Sequence, residues 1–327
     1  MPANLPPQYY EAEKIYRQAR TAAEKIEALE GMLAIMPKHK GTDHLRGELR
    51  ARLAKLAEEG ERRTGAARAQ LNVVRREGAG QAVLVGPPNS GKSQILASLT
   101  GASPKVGEYP FTTRLPLPAM MPFENVQVQL VDLPAVVEQA TLPWLRTIVR
   151  QADLLLAVIS LAEDPLAELN STLDELRAMR VELAGPGHPP GAADFVLTKR
   201  ALVVANKLDC PDATENLELL RLECAGRLSL AAVSATSGAG LEDLKRRVYA
   251  ALDVVRVYTR APGREPDFTQ PVVLPRGSTV EDVAGAIHKE IQQKLKYANL
   301  WGSGKFGGQR VGRQHTIEDG DVIELVA

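Results

Sequence analysis

One octapeptide restricts what this chain can become more than any other stretch. Gly86-Pro87-Pro88-Asn89-Ser90-Gly91-Lys92-Ser93 fits the spacing G-x-x-x-x-G-K-[ST] of a phosphate-binding loop. Two glycines let the backbone curl so that its N–H groups point inward at a polyphosphate. The lysine then reaches the β/γ oxygens, and the hydroxyl after it can ligate Mg²⁺. The flanks agree with that use. Ala82-Val83-Leu84-Val85 is a short apolar run that reads as a buried strand, and Ser93 to Leu99 reads as the first turns of a helix. The positive end of that helix faces the same phosphates. A loop of this kind sits on a layered sheet, which sets the expectation for the chain around it.

The remaining chain is long enough for that. Its 327 residues allow two or three domains, and 44% hydrophobic with 24% charged residues is ordinary for a folded domain. Net charge is zero but uneven. Residues 1–78 hold 15 basic and 11 acidic side chains, residues 79–255 hold 15 and 20, and residues 256–327 hold 10 and 9. A mildly basic arm and a near-neutral tail therefore flank an acidic middle, which leaves RNA contact by the ends open. Cys210 and Cys224 make no zinc or redox spacing, and the five histidines are scattered. Reduced thiols and a cytoplasmic location are expected. Ala152 to Ala162, the longest apolar run, is far too short to span a membrane.

Three segments follow from the pattern: 1–78, 79–255 and 256–327. In the first, Ile15, Ala19, Ala22, Ile26, Leu29, Leu33 and Met36 step by fours and threes, a coiled-coil seam. Pro37 ends it, Thr42 or Asp43 can cap a second helix, and Leu45, Leu49, Leu53 and Leu56 share one face. The expectation is an antiparallel helical hairpin. The middle segment alternates helices with strands at Ala82–Gly86, Val126–Asp132, Asp153–Leu161, Leu202–Asn206 and Leu230–Ser234. That predicts an α/β fold, a mostly parallel sheet covered by helices on both faces. The tail has a strand at Pro271–Leu274, a helix from Ser278 or Thr279 to about Lys294, and a strand at Val322–Val326. It reads as a small α+β module with a mixed sheet and one main helix.

Further signals fall where strands end. Asp132 follows the Val126–Val131 run, where an acid can hold Mg²⁺ through water opposite Ser93. Asn206-Lys207-Leu208-Asp209 has the N-K-x-D form by which GTP-binding proteins read guanine. Asp209 would accept from N1–H and the exocyclic amine, a pairing adenine cannot offer, while the stem of Lys207 covers the base. Ser234-Ala235 follows the fifth strand, where a backbone N–H can meet guanine O6. Tyr109-Pro110-Phe111-Thr112-Thr113 lies between the loop and Asp132, where a threonine closes over Mg²⁺ and the γ-phosphate. The nucleotide-binding set is then Asn89, Ser90, Gly91, Lys92, Ser93, Gln94, Ala135, Asn206, Lys207, Asp209, Ser234 and Ala235. Ser93, Thr113 and Asp132 form the metal set, with Asp132 acting through water.

Taken together, Gly86–Ser93, Tyr109–Thr113, Asp132–Pro134, Asn206–Asp209 and Ser234–Ala235 resemble the five nucleotide motifs of the translation-factor-like Obg/DRG GTPases. The stretch from Met36 to Leu45, continuing through Leu53-Ala54-Lys55-Leu56, resembles the DRG amino-terminal arm. Val273 to Asp282, Lys296-Tyr297-Ala298, Trp301-Gly302, Arg310-Val311-Gly312 and Glu318 to Val322 resemble a TGS domain, a ubiquitin-like β-grasp fold. The resemblance covers nearly the whole chain. It implies a GTPase that uses Mg²⁺ and associates with a ribosomal subunit, rRNA or tRNA, with neither DNA nor membrane as a partner.

The departures from that pattern are informative. The third motif of the family ends D-x-P-G, and here its fourth position is Ala135. Alanine keeps the N–H but resists positive φ by about 1 kcal/mol or more, so switching is expected to be stiffer. The domain that DRG proteins insert before N-K-x-D is reduced to Gly185–Gly191 and a short continuation. Where Ras-type proteins orient water with Gln, this chain has Val136, so intrinsic turnover should be slow. Lys92, Thr113 and Asn89 are the candidate catalytic residues. The resemblance suggests that Asn89 helps bind K⁺ near the phosphates in place of an arginine finger. A second reading is a nucleotide-gated ribosome- or RNA-binding module with little or no hydrolysis. A third makes Lys289, Lys294, Lys296, Arg310 and Arg313 a sensor of a small regulatory nucleotide.

Overall fold

The computed structural model describes residues 74–101, 116–134, 143–185, 191–193 and 196–326, with Lys14, Tyr16, Lys25, Ala28, Leu29, Met32, Leu49 and Arg52. These isolated positions belong to a separate unit, Met1–Val73, and all are helical, with Leu29, Met32 and Leu49 buried. The rest of the expected helical hairpin lies outside the described residues.

From Val74 onward the chain forms one compact unit built on two sheets. The first takes strands β1 (Gln81–Val85), β2 (Leu117–Phe123), β3 (Val126–Asp132), β4 (Leu154–Ser160), β5 (Val181–Ala184), β6 (Gly191–Ala193), β7 (Val196–Asn206) and β8 (Ser229–Ala232). Its spine runs β2-β3-β1-β4-β7-β8, parallel except for β2 against β3. Every residue of β1 and β4 is buried, because helices cover both faces and leave no solvent side to alternate toward. On one face pack α1 (Lys92–Thr100) and α5 (Leu241–Leu252), through Ile95, Leu96, Leu99, Leu244 and Val248. On the other pack α2 (Pro143–Gln151), α3 (Pro165–Ala178) and α4 (Ala213–Cys224), through Leu145, Val149, Leu169, Leu176, Leu217 and Leu220. The expected doubly covered parallel sheet is present.

Strand β7 is longer than the apolar run Leu202–Asn206 suggested. Its first half, to Arg200, pairs with β5 in parallel and with β6 antiparallel, and its second half pairs with β4 and β8. The short continuation before N-K-x-D thus forms a small β extension of the main sheet.

The second sheet has the order β10-β9-β13-β11-β12. Its strands are β9 (Val254–Thr259), β10 (Asp267–Pro275), β11 (Tyr297–Trp301), β12 (Gln309–Val311) and β13 (Asp321–Val326). Helix α6 (Val280–Ile287) presses Val280, Val283 and Ala284 against one face, and the expected β-grasp arrangement results. One expectation needs correction. The helix does not run unbroken to Lys294, because His288 is extended (φ −164°, ψ 137°) and starts α7 (Lys289–Lys294) instead. His288 donates its N–H to Ala284 O and its Nδ1 accepts from Glu290 N at 3.2 Å, so one residue closes the first helix and caps the second.

Candidate functional site

Strand β1 delivers the chain into Gly86, and the loop's two glycines are required by close approach as well as by φ. A Cβ on Gly86 (φ 146°) would lie 2.3 Å from the carbonyl oxygen of Val158 on β4. One on Gly91 (φ 92°) would lie 2.2 Å from Asn206 Nδ2. Between them the exposed Asn89 is left-handed at φ 60°. Helix α1 starts at Lys92, so the loop amides run on into a helix N-terminus, and Gln94 lies in its first turn.

Lys92 is buried, and its Nζ donates back to Gly86 O at 3.0 Å and Pro87 O at 2.8 Å. Ser90 Oγ donates to Pro87 O at 3.1 Å. Burial lowers the Lys92 ammonium to about pKa 8, against the opposing pull of Asp132, Glu168 and Glu175. Its charge is therefore poorly satisfied by the loop carbonyls alone, and an arriving phosphate would complete it.

Facing it, Ser93 Oγ donates to Asp132 Oδ2 at 2.5 Å at the end of β3. Asp132 is fully buried, and its Oδ1 has no hydrogen-bond partner. Burial raises the Asp132 pKa, opposed by the Ser93 hydrogen bond and by Lys92. A buried carboxylate oxygen without a donor, beside a hydroxyl, is the donor set a hard oxygen-seeking cation fits. The residues present thus suit Mg²⁺.

Asn206, at the end of β7, braces two loops. Its Nδ2 donates to Ser90 O at 2.9 Å and its Oδ1 accepts from Ala235 N at 3.1 Å. Ser98 Oγ, on α1, adds a bond to Ala235 O at 2.9 Å. Asp209 is exposed, and the hydroxyl of Ser234 hydrogen-bonds to it, which with a backbone N–H keeps its pKa below the usual carboxylate value. Lys207 is left-handed at φ 67°, a strained setting for a side chain that clusters at functional loops.

Ser234 N donates to Ala239 O at 2.9 Å and Ala235 N to Asn206 Oδ1 at 3.1 Å, so the loop after β8 is tied to its own turn and to the end of β7. Thr113, with Tyr109–Thr112, lies outside the described residues, as do Ala135 and Val136.

Sequence reasoning missed two contributors. Glu168, on α3, accepts from Ser160 N at 2.8 Å at the end of β4, and burial raises its pKa against the charges of Lys207 and Lys92. Ser98 was read only as helix. Neither has a motif signal: Glu168 reaches back only eight residues to the end of β4, and Ser98 acts across a contact 137 residues away in the chain. Of the five tail cations, several already have partners or fixed places. Lys289 and Lys294 lie on α7, and Arg313 pairs with Glu281 on α6 at 2.7 Å, whereas Arg310 lies over the ring of Tyr297.

Comparison with known proteins agrees with this geometry. A family model described as "50S ribosome-binding GTPase" matches residues 81–184, and one described as "TGS domain" matches residues 255–327. An uncharacterized GTP-binding protein of Methanocaldococcus jannaschii is 30% identical over 93% of this chain and 92% of its own. Developmentally-regulated GTP-binding protein 2 of Homo sapiens is 26% identical over 93% of this chain and 98% of its own. A crystallised GTP binding protein from Pyrococcus horikoshii OT3 shares the fold at a TM-score of 0.50 and 14% identity, over 76% of this chain and 99% of that one.

Proposed function

Because the chain belongs to the developmentally regulated family of GTP-binding proteins, we propose that it hydrolyses GTP to GDP and phosphate as a slow switch, in association with a ribosomal subunit or translation RNA. The observation that carries the hydrolytic half is the pairing of Ser93 with Asp132, whose second oxygen is unpartnered, beside a Lys92 short of counter-charge. In this reading Lys92 would bind the β/γ oxygens, and Ser93 and Thr113 would hold Mg²⁺, with Asp132 acting on it through water. The ion, when bound, neutralises charge developing on the phosphates. Asp209, steadied by Ser234, selects guanine, and Lys207 covers the base. In the same reading the exposed Asn89 helps bind K⁺ near the phosphates, so turnover is expected to be faster in KCl than in NaCl at matched ionic strength. Equal rates in the two salts would remove that role.

Val136 offers no amide to aim water, which favours slow intrinsic cleavage and keeps open a nucleotide-gated binding module without hydrolysis. Single-turnover cleavage of labelled GTP, with and without ribosomal subunits, separates the two. Measurable phosphate release, faster on subunits, supports the switch. Tight GTP binding with no release over hours supports the module. The ribosomal half is tested by co-sedimentation with subunits under GTP, GDP and no nucleotide. Absence from the pellet in all three states would end it.

A further inference from the structure

The sheet of the C-terminal module has one face under helices and one without. Alternation along β11 puts Ala298 and Leu300 into the core, so Tyr297, Asn299 and Trp301 point the other way. Cross-strand register adds Arg310 opposite Asn299, and Glu324 of β13 on Asn299's other side. Toward β10 this outer face is closed by the nucleotide-binding domain, against whose core Val254 and Val273 pack. Toward β12 it carries an unusual chemistry. The Arg310 guanidinium lies 3.6 Å from the centroid of the Tyr297 ring, and that of Arg260 lies 4.8 Å from the centroid of Trp301. Arg310 is exposed, whereas Arg260 is half-buried and its buried Nε has no hydrogen-bond partner. Gly307 and Gly308 bring the following loop against the indole, where added Cβ atoms would lie 3.1 Å and 3.4 Å from the ring. That loop raises Lys305 and a bare Phe306, 65% exposed.

From this we infer that the outer face at β11 and β12 docks single-stranded RNA: bases stack on the ring-backed guanidiniums of Arg310 and Arg260 and on Phe306, with phosphates near Lys305. Arginine planes and aromatic rings are the surfaces on which unpaired bases stack, largely without regard to sequence. The ring behind each guanidinium holds it flat and in place. Tyr297 and Trp301, four residues apart on one strand, stand roughly 13 Å apart, room for two stacked positions along an extended strand. Arg260, Arg310 and Lys305 bring three positive charges to this end of the sheet, where the carboxylate of Glu324 is already engaged by Asn299 at 3.1 Å and that of Asp321 by Ser303 at 2.7 and 2.8 Å. An apolar protein partner would meet charge here, whereas a phosphate backbone meets its complement. The inference rests on the RNA half of the proposed function and gives it an address.

The test is anisotropy of a fluorescent 12-nucleotide single-stranded RNA with the full chain, alongside a duplex of equal length. Arg310→Ala and Phe306→Ala alter exposed side chains, so binding of fluorescent GDP should be unchanged and certifies the fold. Each should weaken single-strand binding about tenfold, the scale of one lost stack. Arg310→Lys separates stacking from charge and should lose most of what Arg310→Ala loses, while Arg313→Ala, beside α6, should bind as wild type. Lys305→Ala, by contrast, should lower the slope of log affinity against log salt by about 0.7, one phosphate contact. Full affinity in Arg310→Ala and Phe306→Ala, or equal affinity for the duplex, overturns this face while leaving RNA association standing. No RNA binding by wild type, together with normal co-sedimentation on subunits, also overturns the face alone. Failure of both measurements removes the association itself.

Discussion

At the scale of single residues, the site is a set of polar groups left partly unmet by the protein. Lys92 shows this most clearly. Its pKa in the fold, about 8, lies below the ordinary 10.5, so between those values the folded chain binds fewer protons than the unfolded one. Without nucleotide, stability therefore gains as pH rises through that window. Phosphate reverses the preference, since the charged amine is the form it binds. Affinity for GDP should hold below pH 8 and then fall by up to about tenfold per pH unit. Titrations of fluorescent GDP from pH 7 to 9 check this, and Lys92→Arg, which does not titrate, should flatten the curve. Asp209→Asn should weaken GTP at least tenfold relative to xanthosine triphosphate in competition against labelled GDP. An unchanged preference would place the base elsewhere. The residues of these predictions were legible in the sequence because their spacing is a chemical requirement. Asn206 was legible only as a motif letter. That it braces Ser90 to Ala235 depends on two loops more than a hundred residues apart in the chain.

Elements read from sequence were those whose burial is uniform. Strands β1 and β4 are near-continuous apolar runs because both their faces are covered, and β3 was legible from its valines and leucine although it keeps Gln127 exposed. Strand β2 escaped notice, since LPAMMPF carries two prolines and is half exposed, a pattern tolerated at a sheet edge. Strands β5 and β6, four and three residues long, exist through pairing with β7 and carry almost no local signal. Two predictions belong to this scale. Asn206→Ala would strand Ser90 O and Ala235 N in the core, costing about 1–3 kcal/mol in urea unfolding and weakening GDP in parallel. Glu175, on α3, has a carboxyl oxygen buried without a partner and a pKa raised to about 7 by burial. The folded chain holds that proton longer than the unfolded one, so its penalty grows as pH rises from about 4.5 to 7. Thermal melts should show Glu175→Gln more stable than wild type at pH 8 and the difference gone near pH 4.5.

For the molecule from Val74 onward, the joint between its two sheets was invisible in the sequence, because the hydrogen bonds that tie the β2–β3 turn to β9 join residues more than 130 apart. Arg256, on β9, bonds Asp319 through Nε at 3.0 Å and Nη2 at 2.8 Å, reaches Glu124 in the β2–β3 turn, and lies over the Tyr249 ring. Asn125 of the same turn donates to Tyr258 Oη at 2.7 Å. Arg256→Ala should lower stability by about 1–3 kcal/mol, with Tm falling about 2–4 °C for each kcal/mol lost. An unchanged Tm would mean the joint is held by apolar packing alone. The joint's position matters beyond its strength. Strand β3 starts beside this clasp at Val126 and ends in the crevice at Asp132, a stiff span of roughly 20 Å. One rod thus has its head beside Ser93 and Lys92 and its foot gripped by the tail, so a tilt forced at either tip arrives at the other as leverage.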